Sequence, residues 1–347
     1  MPAEPVALFA LCLAGLALAV WLQPTRRQQR GLVIRGTTGL AGVAAVALAP
    51  ALNVVLPILV GLGILHAAAD GRQSFAGRLR PIALASALYA LALIFAGITA
   101  PDVLPRFAAV GAAAAIAASI GVVPYLHELD PEAPVSSSPI AWLAFIGPVL
   151  ASVVVLRLQQ VLTVDAGEVF GATLLGLGLV NIVWGSVAAW RTESEIAAWR
   201  YAFVGDWGLV LCGFGLTAAD GRSAAVLVLF TIVLGRLPLY VASRQTVRDP
   251  SPTERPINLV VAAVLAGSAP FAGFAARVLL LRGATQMYWP LAMVLALAML
   301  LWLPGSLRLG RTIAFVRGRR AVVVAIVIAL NVAAGLFPLP ILAAAGH

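Results

Sequence analysis

Apolar runs long enough to cross a bilayer recur along the whole of this sequence and leave it little else to become. A helix needs roughly 20 such residues to span about 30 Å of hydrocarbon. Twelve runs can be read, at residues 5–23, 33–49, 52–69, 81–99, 107–125, 139–157, 168–190, 201–217, 223–241, 257–276, 287–304 and 321–340. The second and third, parted only by Pro50, also allow a reading as one irregular re-entrant unit. Only 11% of the 347 residues are charged, whereas a soluble domain carries about a quarter. A transmembrane β-barrel would show alternating polarity along short segments, and that pattern is missing here. The expected fold is all-α: a polytopic membrane helix bundle of about twelve transmembrane helices, in one transmembrane domain over residues 1–347.

The first run is expected to be a true helix rather than a signal peptide. Its opening Met1-Pro2-Ala3-Glu4 has no basic segment, and no small-residue cleavage site precedes Gln23-Pro24. The net charge of +9 would suggest nucleic acid in a soluble protein, but here the arginines sort into alternate loops. Arg26, Arg27 and Arg30 follow the first run, Arg72, Arg78 and Arg80 the third, and Arg191 and Arg200 flank the loop after the seventh. Arg244, Arg248 and Arg255 follow the ninth, and Arg308, Arg311, Arg317, Arg319 and Arg320 the eleventh. The opposite loops hold only Arg106, Arg157, Arg222 and Arg282. By the positive-inside rule both termini lie outside and the loop after the fifth run lies inside. The basic excess is therefore topogenic, with the lipid bilayer and its anionic headgroups as partner and no role for nucleic acid.

Chemistry of other kinds finds no purchase. The sequence has no phosphate-binding loop, dinucleotide glycine motif, paired-cysteine motif or zinc-protease motif, so no cofactor, no metal and no catalytic residue is expected. Cys12 and Cys212 sit within apolar runs without ligand spacing and read as small buried residues.

Charges at membrane depth carry the information, because a lone Arg or Asp at a helix centre costs about 2.5–3.5 kcal/mol on insertion scales. Arg35, Asp206, Arg236 and Arg277 stand in such places. Arg35 lies near the end of its run and can reach the headgroups. Arg236, in VLGRLPLY, precedes Pro238 and reads equally as a headgroup-reaching arginine or a functional one. Asp206, in YAFVGDWGLV, is too short to reach far and needs a partner, water or a proton. Arg277 closes GSAPFAGFAAR, where Gly267, Pro270 and Gly273 predict a broken helix. The fifth run ends in a similar way, with Gly121 and Pro124. Interrupted spans in two halves of a chain point to an inverted-repeat architecture and its site.

After the second of these breaks comes SIGVVPYLHELDPEAPVSSSP, residues 119–139, in which His127, Glu128, Asp130 and Glu132 are fenced by prolines. This loop resembles that of the antiporter-like membrane subunits shared by complex I (NADH-quinone oxidoreductase), multisubunit sodium/proton antiporters and membrane-bound hydrogenases. The resemblance continues through NIVWGSVAAWRTESEIAAWRYAFVGDWGLVLCGFGL, VVAAVLAGSAPFAGFAARVLLLRG and YWPLAMVLALAMLLWLPGSLRLGR, and covers residues 107–320. It implies inverted five-helix repeats with broken helices, both ends outside, and a chain about two helices shorter than the family's fourteen. In these terms residues 1–100 are divergent N-terminal helices, 107–217 the first part of the core, and 223–347 its second part with the C-terminal helices.

The resemblance also implies a proton relay of buried lysines, a glutamate and a histidine, and here the departures matter most. All 23 basic residues are arginine. Ser119 stands at one family lysine, Ile146 to Pro148 span another, Glu195-Ile196-Ala197 replaces a basic loop, and Asp206 stands at the histidine. Only Arg277 keeps a lysine's charge. Arginine stays protonated at physiological pH and cannot relay protons. The expectation is a non-catalytic membrane-arm subunit of a complex-I-like, hydrogenase-like or multisubunit antiporter assembly, with a degenerate relay and a buried pair of Asp206 with Arg277 or Arg236. Its partners would be other membrane-arm subunits and a peripheral redox module; His127, Glu128, Asp130 and Glu132 read either as a solvated capping turn or as a contact that docks a basic peripheral subunit. The competing expectation is a self-sufficient ion or small-anion transporter, for instance of bicarbonate, that uses Asp206 and Arg277.

Overall fold

The computed structural model describes residues 3–22, 26–49, 52–68, 72–97, 104–124, 126, 147–216, 218–243, 256–313 and 318–344. The loop residues His127, Glu128, Asp130 and Glu132 lie outside these. All regular structure among the described residues is helical. In the first half the helices are α1 (Ala3–Leu22), α2 (Arg26–Leu48), α3 (Leu52–Ala68), α4 (Arg72–Gly97) and α5 (Leu104–Ile120). Next come α6 (Gly147–Gln159), α7 (Val164–Arg191) and α8 (Glu195–Gly215). Then α9 (Ala219–Thr231) passes through a π-helical turn (Ile232–Arg236) into α10 (Leu237–Ser243). The remainder is α11 (Pro256–Ala266), α12 (Ala272–Met287), α13 (Trp289–Leu300), α14 (Trp302–Arg311), α15 (Arg319–Leu336) and α16 (Leu339–Ala344).

Every apolar run of the sequence carries helix, but the edges differ for local reasons. The second and third runs are separate helices, α2 and α3. α4 begins at Arg72 rather than at residue 81, because its polar opening, Arg72–Arg80, is helical too and the chain carries Pro81 inside the helix. The run 257–276 is split into α11 and the start of α12, and 287–304 bends at Leu301 between α13 and α14.

α8 is the axis of the bundle: every residue from Ala198 to Gly215 except Tyr201 is buried. Its start is capped by Ser194, whose Oγ accepts from the Ala197 N–H at 3.3 Å. Lipid offers no hydrophobic drive between helices, so close packing must hold them. Glycine supplies it along the α7–α8 contact. A Cβ on Gly171 would lie 2.8 Å from the Gly215 carbonyl oxygen, one on Gly178 2.7 Å from the Gly208 oxygen, and one on Gly185 2.6 Å from the Gly205 nitrogen. These three glycines recur every seven residues and let two backbones touch.

The loops meet in two separate sets. Arg106 pairs with Asp165 at 3.3 Å, Arg282 with Asp220 at 3.0 Å, and Arg222 reaches Gln159 at 3.5 Å. On the other face the Arg308 guanidinium donates to the carbonyls of Trp190 (3.1 Å), Thr192 and Glu193 (3.0 Å) in the α7–α8 turn. Loops that the arginine count assigns to one side thus touch loops assigned to the same side.

Candidate functional site

The two breaks have the same backbone construction. At the end of α5 the Gly121 N–H donates to the Ala118 carbonyl (3.1 Å) and the Val122 N–H to that of Ala117 (3.2 Å). At the end of α11 the Gly267 N–H donates to Val264 (3.1 Å) and the Ser268 N–H to Ala263 (3.1 Å). Each is a Schellman ending, which needs a residue in the left-handed region after the last helical turn. Glycine provides it both times, Gly121 at φ 89° and Gly267 at φ 62°, and a proline follows three residues later. Gly273, in the first turn of α12, is required by the second break: a Cβ there would lie 2.7 Å from the Gly267 Cα.

What fills the two breaks differs. At the first, the Asn181 side chain of α7 clamps one residue from both sides, its Oδ1 accepting from the Val123 N–H (2.9 Å) and its Nδ2 donating to the Val123 carbonyl (3.3 Å). Near it lies a small cavity with apolar walls, whose polar members among the described residues are Ser86, Tyr89 and Ser119. The hydroxyls of Ser86 and Ser119 turn back onto their own helices, to the carbonyls of Ile82 and Ile116 at 2.7 Å each. Ser119, where the resemblance puts a lysine, therefore lines a cavity whose wall has no charged member among the described residues.

The second break is filled by charge. Asp206 projects from α8 and Arg236 from the π turn, both nearly fully buried at 5% and 4% exposure. The Arg236 Nη2 donates to Asp206 Oδ1 at 3.1 Å, and its Nε to Oδ2, so the pair is two-pointed. The same Nη2 donates to the Leu265 carbonyl at the end of α11 (3.0 Å). Arg277 of α12 reaches the neighbouring Gly267 carbonyl at 3.4 Å. Carbonyls left open by the helix end thus receive guanidinium donors in place of backbone ones. The Trp302 ring of α14 lies within reach of both arginines, its centroid 5.4 Å from the Arg236 carbon and 5.7 Å from that of Arg277. Gly205 makes room for it, since a Cβ there would come within 2.7 Å of the indole. A small cavity adjoins the cluster, lined by Asp206, Arg236, Gly267, Gly273, Arg277 and Asn331 among others.

Asp206, Arg236, Arg277, Gly267 and Gly273 are thus brought to one place, with Pro270 in the same break, while Gly121 and Pro124 lie at the other. The sequence reading passed over Asn181, Trp302 and Asn331. A lone amide in an otherwise apolar helix, as in LGLGLVNIVWG and VIALNVAAG, is the signal that could have found the two asparagines. No group of three or more potential metal ligands occurs among the described residues. Cys12 and Cys212 are buried and unbridged.

No protein-family model matches the sequence, and no curated protein matches it either. Solved structures do share its fold. A chain of the Mrp complex from a Dietzia species superposes with a TM-score of 0.75 at 15% identity, over 99% of this chain and 44% of that one. A chain of respiratory complex I from Thermus thermophilus gives 0.74 at 21% identity, over 99% of this chain and 86% of that one. A chain of the membrane-bound sulfane sulfur reductase, an archaeal respiratory membrane complex, gives 0.69 at 18% identity, over 94% of this chain and 64% of that one. The protein is a multi-pass membrane helix bundle with the fold of membrane subunits from these complexes. It spans less than half the length of the Mrp-complex chain.

Proposed function

We propose that this protein is a membrane-arm subunit of a complex-I-like, hydrogenase-like or multisubunit antiporter assembly, placed in the cytoplasmic membrane with both termini outside. On this reading it extends or seals the arm and holds neighbouring helices, without carrying protons through its own core. The observation that carries the reading is the likeness in fold over 99% of the chain to subunits of multisubunit membrane complexes. The loss of a titratable relay supports the second half. Among the described residues, the polar lining of the cavity at the first break is the hydroxyls of Ser86, Tyr89 and Ser119 in otherwise apolar walls, and at the second the cations are guanidiniums, a group that does not relay protons near neutral pH. Asp206 is the one carboxylate lining that cavity, and a two-point pair with Arg236 occupies both of its oxygens.

The test is gentle detergent extraction of the tagged native protein, followed by mass spectrometry and a visible absorption spectrum of what accompanies it. The expected result is stoichiometric co-purification with other antiporter-like chains and with flavin or iron–sulfur polypeptides. A colourless homo-oligomer would overturn this reading in favour of a self-sufficient transporter.

A further inference from the structure

Among the described residues, the lining of the cavity at the second break holds one more positive than negative group. Its lining contributes two guanidiniums, Arg236 and Arg277, and a single carboxylate, Asp206. Asp206 is spent on Arg236, and the Arg277 guanidinium has a 3.4 Å bond to a neutral carbonyl and a ring face at 5.7 Å. Neither of these direct partners carries charge, and the Asp206 carboxylate that acts on Arg277 from further off is shared with Arg236, so one positive charge stays in excess. A second, independent sign comes from Arg236. Its side chain is 5% exposed, yet its Nη1 is buried without any hydrogen-bond partner, while Nε and Nη2 are both engaged. A buried guanidinium nitrogen without an acceptor is rare and calls for one. The carbonyl dipoles at the end of α11 offset part of the charge, but the start of α12 faces the same cavity through Gly273 with the opposite dipole.

We infer that this cavity is a binding site for one small monovalent anion, of chloride or bicarbonate size, held by Arg236 Nη1 and the Arg277 guanidinium and neutralising the cluster. Asn331 lines the same wall; its Nδ2 gives one N–H to the Val327 carbonyl at 2.9 Å and retains a second. The anion is a resident counter-ion, so the site stands whether or not the protein belongs to an assembly.

The probe is chloride exchanged for gluconate at constant ionic strength and pH, with bicarbonate as a separate arm, read by thermal unfolding of the purified protein. Chloride should raise the midpoint in a saturable way, gluconate should not, and the bicarbonate arm tells which of the two small anions is preferred. Arg277→Gln should abolish the chloride dependence and Arg277→Lys should keep it. Since Arg277→Gln could fail to fold, bromide is also located by anomalous scattering in crystals of the unaltered protein. A bromide peak between Arg236 and Arg277 supports the site. A midpoint indifferent to the anion, a chloride dependence that survives in Arg277→Gln, or an empty bromide map at this cavity overturns it. None of these readouts depends on which polypeptides co-purify, so the site and the assembly reading fail separately.

Discussion

The two glycine-proline helix endings have one backbone and two chemistries. α5 and α11 end in the same pair of hydrogen bonds around a left-handed glycine, each with a proline three residues on. Yet the first break is closed by the neutral amide of Asn181, and the second by the charges of Asp206, Arg236 and Arg277. A glycine-proline break in a membrane helix frees backbone groups that something must satisfy. An amide does so neutrally, with one donor and one acceptor matched to one residue. Guanidiniums do so only if their own charge is met, which is why the second break also needs a carboxylate, an aromatic face and the wider bend of a π turn. On the function proposed above, the scaffold keeps its shape without the proton chemistry the resemblance associates with it.

The largest expected effect falls on the charged break. Asp206→Asn leaves Arg236 buried and unpaired, and should destabilise the protein by about 3–5 kcal/mol in thermal or denaturant unfolding, with poor recovery of assembled protein. Replacing both partners at once, Asp206→Leu with Arg236→Met, should cost far less than either single change. If the double variant is as unstable as Asp206→Asn, the pair is not the unit it is taken to be.

Next in size, Gly267→Ala and Gly121→Ala sharpen the comparison of the backbones. Both force a side chain into the left-handed region, which costs about 1–2 kcal/mol. At Gly267 the new Cβ also lies 3.0 Å from the Arg277 guanidinium and 3.1 Å from Gly273. Gly267→Ala should therefore lower the unfolding midpoint more than Gly121→Ala; equal losses would mean that the charged filling adds no rigidity.

Comparable in size, Asn181→Ala strands the part-buried N–H and carbonyl of Val123 and should cost about 1–3 kcal/mol, because both lose a partner. The smallest effect is expected at the rim. Arg106→Ala removes an exposed pair with Asp165 and should change stability by no more than about 1 kcal/mol.

Much of this fold was legible in the sequence, because a bilayer leaves few options to an apolar run of about 20 residues. Both breaks could be read from Gly121 with Pro124 and from Gly267 with Pro270, since those residue types carry their backbone consequences locally. Arg236 was the harder case. Near the end of its run it could have reached the headgroups, and only the π turn aims its side chain at Asp206. Trp302 gave no warning at all, because a tryptophan in an apolar run ordinarily faces lipid, and it is Gly205 on another helix that admits it to the core. Glycines 171, 178 and 185 could be seen as small residues, but their partners on α8 emerge only from the packing.

The account stands on the claim that fixed charge has replaced a titratable relay, and proteoliposomes test it most directly. The purified protein is reconstituted with a pH-sensitive dye inside, and a potassium diffusion potential is imposed with valinomycin. The predicted result is proton entry no faster than in protein-free vesicles, unchanged in Asp206→Asn to the extent that this variant inserts. Proton entry well above that background, and lost on changing Asp206, would contradict the claim.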